Sequence, residues 1–355
     1  MRFRLATVAL AGMMAGALLA GESRTLKVLV LYDMEGVSEA TSLQHTNFDT
    51  PEYRQARVSL TADVNAAIAG LKTAGVSEIV VVDGHGSGNS LGPDLIEDQL
   101  QAPARMISRD GPFDIYMDSY DHSIDAIVAV AMHAGAGNGA GFLSHTYSWV
   151  ARDYRVNGVP FDETMILSMG AARLKIPVVA VSGDDQLEKE LRRNLPWVHY
   201  AAVKHAVSRA SAEPLGRDEI DRRISAAVRA GIEQIADARL PAVAGPFRFA
   251  VTFRDEAETA NAALLPDAEV ALNARTVQVR SDDFEEGYRK SLRLLGLANA
   301  AARETALQAV LGSAPDAATW RARVGDWSGE RFLERVSPPA PPPPPAGKVR
   351  YFGAR

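Results

Sequence analysis

Four short apolar runs, each closing on a polar or ionisable residue, constrain this chain more than any other feature. Val28-Leu29-Val30-Leu31-Tyr32 ends at Asp33, and Ile79-Val80-Val81-Val82 ends at Asp83. Ile127 to Met132 ends at His133, and Val178-Val179-Ala180-Val181 ends at Gly183-Asp184-Asp185. None alternates polar with apolar, so each reads as a strand buried on both faces. Helical patterns lie between them: Ser59 to Ala74, with Gly75 as its stop signal, and Phe161 to Leu174. Strands alternating with helices predict an α/β fold with a doubly wound, mostly parallel sheet. In such sheets ligands bind outside the carboxyl ends of the strands. Asp33, His85, His133 and Asp184 are therefore expected to converge there despite their separation in sequence.

The chain changes character after about residue 215. Asp218 to Ala238 carries Ile220, Ile224, Val228, Ile232 and Ile235 on one helical stripe. Phe247–Phe253 and Thr276–Arg280 read as strands, and Asp283–Leu311 as one helix or two broken near Gly296. The expected division is a catalytic α/β unit over 24–215, a smaller α+β part over 216–312 and a C-terminal extension over 313–355. Within that extension Ser337–Ala346 holds seven prolines in ten positions, a polyproline II signature. At the other end, Arg2 and Arg4 precede an uncharged apolar run from Leu5 to Ala20 with a small-x-small site at Ala15-Gly16-Ala17. This reads as a signal peptide over 1–20, too short for a bilayer span of about 20 apolar residues. The expectation is a periplasmic or secreted protein with no membrane segment in its mature form. A formal charge of −6 with mixed signs lacks the footprint of a nucleic-acid binder. The absence of cysteine excludes disulfides, thiolate metal sites and cysteine nucleophiles.

The chemistry concentrates at the strand ends. Asp33-Met34-Glu35 places two carboxylates on one side of an extended chain, where they repel unless a cation lies between them. His85 in Asp83-Gly84-His85-Gly86 and His133 before a glycine-rich run complete a nitrogen/oxygen set that suits zinc, or manganese as the second choice. Charge counting favours two ions, with a third carboxylate drawn from Asp153, Asp162, Glu163, Asp184 and Asp185. His199 and His205 read as structural, and Asp184 either supports the site or caps a helix. Gly135-x-Gly137-x-x-Ala140 matches a relaxed dinucleotide fingerprint, but Phe142–Val150 reads as extended where that motif opens a helix. There is no P-loop, no Gly-x-Ser-x-Gly elbow and no His-Glu-x-x-His.

Six segments in order carry a family resemblance: Asp33-Met34-Glu35-Gly36, Asp83-Gly84-His85, His133-Ala134, Ser144-His145-Thr146, Asn157 to Glu163, and Gly183-Asp184-Asp185. Together they resemble the M55 family of metallopeptidases, from about Leu26 to about Ala300. The resemblance implies two zinc ions held by Asp33, Glu35, His85, His133 and Glu163, with Asp33 bridging, and His145 as the catalytic histidine. It implies an aminopeptidase that removes N-terminal D-amino acids from short peptides and assembles as a homodecamer. Glycine at Gly84, where the family's type enzyme has serine, is expected to be tolerated because the position serves the turn. Alternatives at this stage are an exported L-specific aminopeptidase, a two-metal phosphatase using Arg152 or Arg155, and a non-catalytic exported binding protein.

Overall fold

The computed structural model describes residues 25–337, apart from 49, 87, 88, 90, 91, 272–274 and 311–316. The segment read above as a signal peptide and the proline-rich run beyond Ser337 lie outside the described residues. Among those described, no helix is long and apolar enough to cross a membrane.

The expected strands form the centre of the larger sheet: β1 (Lys27–Tyr32), β2 (Glu78–Asp83), β4 (Ala126–Met132) and β7 (Val178–Asp184). β3 (Arg105–Met106), β8 (His199–Ser208) and β9 (Ser211–Pro214) extend it in the order β3-β2-β1-β4-β7-β8-β9. All neighbours pair in parallel except β8 and β9. All seven residues of β4 are buried, as a central strand covered on both faces requires. The chain winds outward from β1 to β3, then returns to β4 and winds the other way. The switch point of the winding therefore lies between β1 and β4.

Helices α1 (Pro51–Thr73) and α4 (Arg217–Glu233) cover one face. α1 begins eight residues before the expected start at Ser59. Thr50 accepts a hydrogen bond from the Tyr53 amide and Pro51 occupies the first turn, a local start signal that precedes the apolar stripe. On the other face lie α2 (Glu163–Ala172), α3 (Asp185–Asn194) and a second, antiparallel sheet. That sheet runs β11-β12-β10-β5-β6, built from β5 (Ala151–Val156), β6 (Val159–Pro160), β10 (Phe247–Phe253), β11 (Glu269–Val270) and β12 (Thr276–Ser281). α5 (Glu256–Ala262) and α6 (Phe284–Val310) pack against it, and α7 (Ala317–Phe332) follows. α6 passes through Gly296 without a break. That residue faces solvent, so the cost of about 1 kcal/mol relative to alanine is offset by burial of Leu294, Leu295 and Ala298.

The two sheets do not meet at a single point near residue 215. β5 and β6, from the first part of the sequence, belong to the small sheet, and α4, from the second part, packs on the large one. Hydrophobic pattern distinguishes a strand from a helix but does not say which sheet a strand joins. β5, with exposed and half-buried residues among its buried ones, is the type of strand that leaves part of its surface to solvent, as antiparallel sheets allow.

Candidate active site

Asp33 and Glu35 leave the carboxyl end of β1 at the switch point. The Asp33 amide donates to the Val130 carbonyl (3.0 Å) and the Gly36 amide to Ala131 (2.8 Å), which stitches this turn to the end of β4. A Cβ on Gly36 would stand 2.0 Å from the Met132 carbonyl oxygen, so only glycine permits the approach. Asp33 Oδ1 accepts from the Met34 amide, while Asp33 Oδ2 and Glu35 Oε2 are buried without a hydrogen-bond partner. The turn is held from below by Lys204 of β8. Its buried ammonium donates to the carbonyls of Glu35 (2.6 Å), Val37 (2.8 Å) and Ala40 (3.0 Å) and lies 4.3 Å from the Phe142 ring centroid. Burial pulls its pKa down to about 7, against which three carbonyls accept all three of its protons. Lys204→Met should cost about 3 kcal/mol in chemical denaturation, because three buried carbonyls lose their donor. An unchanged denaturation midpoint would remove this role.

His85 lies two residues beyond β2. Its amide donates to Asp83 Oδ1 (2.9 Å), its Nδ1 contacts Asp94 Oδ2 (2.8 Å), and its Nε2 is 3.6 Å from Glu35 Oε1. Asp94 is buried and also accepts from the Tyr53 hydroxyl. The Gly84 backbone is fitted to glycine: a Cβ there would be 2.6 Å from the Tyr32 carbonyl oxygen. Glycine is thus accommodated at this position, and a serine here needs the turn to shift.

His133 and His145 come from a loop bent by left-handed residues. Ala131, Leu143 and Tyr147 have φ of 60°, 45° and 62°, conformations that non-glycine residues seldom adopt. The two imidazoles stack with centroids 4.2 Å apart and planes 9° from parallel. His133 Nδ1 contacts the Ala134 carbonyl (3.0 Å), and His145 Nδ1 the Leu143 carbonyl (2.8 Å). With His85, all three rings thus have Nδ1 committed to an oxygen and Nε2 turned toward carboxylates, the arrangement a histidine ligand needs. Nε2 of His133 lies 3.2 Å from Asp33 Oδ2 and 3.6 Å from Glu163 Oε2, and Nε2 of His145 lies 3.8 Å from Glu163 Oε1.

Glu163 opens α2, whose N-cap is Asp162. Its Oε1 accepts from the Tyr147 amide (2.6 Å) and its Oε2 from the Tyr116 hydroxyl. The other carboxylates considered for this position are engaged elsewhere. Asp153 pairs with Arg155 (2.5 Å), and Asp162 caps α2. Asp184 caps α3 and accepts from the Phe142 amide (2.9 Å). Asp185 pairs with His205, which is exposed. His199 is half-buried on β8, away from the cluster's lining. The Gly135–Ala140 run opens no helix, so it offers no dinucleotide site.

The electrostatics follow from charged or chargeable groups buried side by side. Burial and the nearby Glu35 carboxylate raise the Asp33 pKa to about 7. Burial acts against the charge on Glu35 too, but His85 outweighs it and holds Glu35 well below the carboxylate range. Glu163 is likewise held at about 2 by His133 and His145 against burial. Burial works to neutralise His85 and His133, yet their carboxylate neighbours raise both well above the usual imidazole value. His145 is shifted the other way, by burial and by His133.

The donor set fits divalent metal. Asp33, Glu35 and His133 offer ligand atoms within 4.8 Å of one another, and so do His133, His145 and Glu163. Three of these buried atoms, Asp33 Oδ2, Glu35 Oε2 and His133 Nε2, make no hydrogen bond, although the first and the last lie 3.2 Å apart. Ligands about 2.0–2.2 Å from a shared tetrahedral ion stand about 3–3.5 Å apart, close to the spacings here. A cavity of about 310 Å³ opens onto this cluster, lined also by Phe113, Asp114, Ile115, Tyr116 and Tyr147. Sequence reasoning missed Asp94, Tyr116 and Lys204. Only Lys204 leaves a signal, a lysine inside the apolar strand segment Ala201-Ala202-Val203-Lys204.

A carboxylate–histidine centre at the switch point of a doubly wound sheet defines an α/β protein built to bind divalent metal beside a small-molecule cavity. The family model for M55 peptidases, described as D-aminopeptidase, matches residues 26–292, and the chain belongs to that family of peptide-bond hydrolases. A D-aminopeptidase of Bacillus subtilis (strain 168) is 26% identical over 276 residues, covering 77% of this chain and 98% of the relative. Among solved structures, the Zn-dependent D-aminopeptidase DppA from Bacillus subtilis, described as a self-compartmentalizing protease, superposes with a TM-score of 0.70 at 26% identity. It covers 77% of this chain and 98% of its own.

Proposed function

We propose that the protein is a two-zinc aminopeptidase that removes N-terminal D-amino acids from short peptides. The observation that carries this reading is the set of buried ligand atoms on Asp33, Glu35 and His133 that make no hydrogen bond, with Asp33 and Glu35 lining the cavity. Asp33, Glu35, His85, His133 and Glu163 are the residues that would hold the ions, with manganese as the alternative metal. Bound zinc supplies a Lewis acid for the scissile carbonyl and lowers the pKa of a water.

The protein's own groups do the rest. Asp94 and the carbonyls of Ala134 and Leu143 fix the three imidazoles so that each Nε2 faces the cluster. His145 moves a proton at its Nε2, and protonating the leaving amine is the step that needs it. Its depressed pKa keeps it neutral beforehand, able to accept the proton it later gives. Tyr116 and Tyr147 fix Glu163. Phe113 and Ile115 add apolar surface to the cavity that Asp33, Glu35 and Glu163 also line, and its modest volume suits a short peptide. Among the described lining residues there is no lysine or arginine to receive a phosphate, and Arg152 and Arg155 are paired with Glu334 and Asp153. D-selectivity is supported by the family description and by the Bacillus relatives. The self-compartmentalizing neighbour supports a homo-oligomer, and the resemblance a decamer. The basic–apolar N-terminal segment supports export to the periplasm or medium.

The deciding assay offers the zinc-loaded protein D-Ala and L-Ala p-nitroanilides, D-Ala-D-Ala and p-nitrophenyl phosphate. Hydrolysis of the D-amide and the dipeptide is expected. Preference for the L-amide, turnover of the phosphate ester alone, or no turnover would each overturn the proposal in favour of one of the three alternatives.

Zinc loading should also release protons. His85 and His133 are raised well above the imidazole value in the metal-free site and so carry protons at neutral pH, which a metal must displace. Raising the pH removes those protons beforehand, so apparent zinc affinity should increase about tenfold or more per pH unit near neutrality. Competition with a chromophoric chelator at pH 6 and pH 8 measures this. Equal affinities would show that the two imidazoles are not displaced from their protons by metal.

A further inference from the structure

We propose that Phe332, at the end of the C-terminal helix α7, is a positioning residue for His145, so that the extension completes the active site. This inference rests on the catalytic reading of His145 given above. α7 begins well past residue 292, where the family match ends. Its last residue is nonetheless 1% exposed and stands edge-on to the His145 ring, with centroids 5.9 Å apart and planes at 82°. Phe332 also stacks on Trp149, at 4.9 Å and 11°. His145 is thus fixed between His133 on one side and Phe332 on another, and water is kept from it there.

The ring is anchored from several sides. Arg331 is buried and pairs with Asp255 (2.5 Å) and with the fully buried Glu258 (2.7 Å) beside α5. The guanidinium groups of Arg209 and Arg254 lie 5.6 and 5.7 Å from the Phe332 ring centroid. Glu334 pairs with Arg152 and Arg254. Gly329 brings α7 against Leu43, in the segment that follows the Glu35 turn: a Cβ there would be 2.8 Å from the Leu43 side chain. A helix that only covered the surface would not need an ion pair to the fully buried Glu258 at the residue preceding the one that meets the histidine. The arrangement restricts the imidazole to one orientation.

The test uses full-length, zinc-loaded protein carrying Phe332→Ala or Phe332→Leu. Phe332→Ala is expected to lower kcat about tenfold or more, to change KM less than about threefold, and to leave zinc content unchanged. Phe332→Leu keeps the apolar volume and is expected to recover part of kcat. A second readout does not need activity. Diethyl pyrocarbonate labelling, mapped by mass spectrometry, should modify His145 about fivefold faster in Phe332→Ala, while the exposed His122 and His205 label equally in every form. If circular dichroism shows that Phe332→Ala does not fold, Phe332→Leu decides alone, with changes in the same direction. Wild-type kcat or unchanged His145 labelling in a folded variant would overturn the proposal. Absence of peptidase activity in the wild type would sink the functional reading but leave the labelling result able to judge this one.

Discussion

Asp33→Ala is expected to empty the metal centre and abolish turnover together, by at least about 10³-fold. Asp33 Oδ2 is 3.2 Å from His133 Nε2 and unpartnered, and the family resemblance makes this carboxylate the one shared by both ions. Metal analysis of the purified variant should find neither ion at stoichiometric level. The loss would not come from unfolding, and the sign of the pKa shift says why. The Asp33 pKa is raised to about 7, through burial and Glu35, so the folded metal-free chain disfavours its charge. That cost sets in above the unfolded value near 3.9, grows as pH rises toward 7 and is constant beyond. Removing the carboxyl group should therefore leave the metal-free Tm at pH 7 equal to or above that of the metal-free parent. A variant that retains two zinc ions, or whose metal-free Tm falls sharply, would refute this assignment.

His145→Ala should separate binding from chemistry. A general acid or base contributes about 10²–10⁴-fold, so kcat is expected to fall by that factor. Zinc content should stay at two ions, because the resemblance places His145 outside the ligand set. The geometry makes this a demanding test. His145 stacks on His133, and its Nε2 is within 3.8 Å of Glu163, close enough to reach an ion shared with them. Loss of one ion in the variant would make His145 a ligand and leave the proton-transfer role without a residue. Replacement by glutamine, which keeps a hydrogen-bonding group but not an acid, should be as inactive as alanine.

Much of this arrangement was legible in the sequence because its strongest constraint is local. A strand buried on both faces must be apolar throughout, and the residue that ends it must be polar if it lines a site. Val28–Asp33 and Ile127–His133 announce themselves on that ground. The ligand assignment needed more, since Glu163 could not be separated from Asp153, Asp162, Asp184 and Asp185 by spacing and was singled out by family resemblance. The helix α3 was legible only as one of two roles offered for Asp184, because its sole apolar residues, Leu187 and Leu191, sit in an otherwise polar and charged segment. Its Asp184 cap was the readable sign. Asp94 and Phe332 left no mark at all. Each acts through a contact made across a long stretch of chain, Asp94 on His85 and Phe332 on His145, and neither sits in a periodic pattern that announces it.

The path of β5 and β6 has a mechanical consequence. The chain leaves the metal end just after His145, crosses the small sheet, and returns to deliver Glu163. The small sheet is thus a handle gripped at both ends by reactive residues. A displacement of β5 and β6 would therefore shift His145 and Glu163 together, and neither layer can be excised, swapped or permuted as a cassette without cutting the segment that joins these two residues.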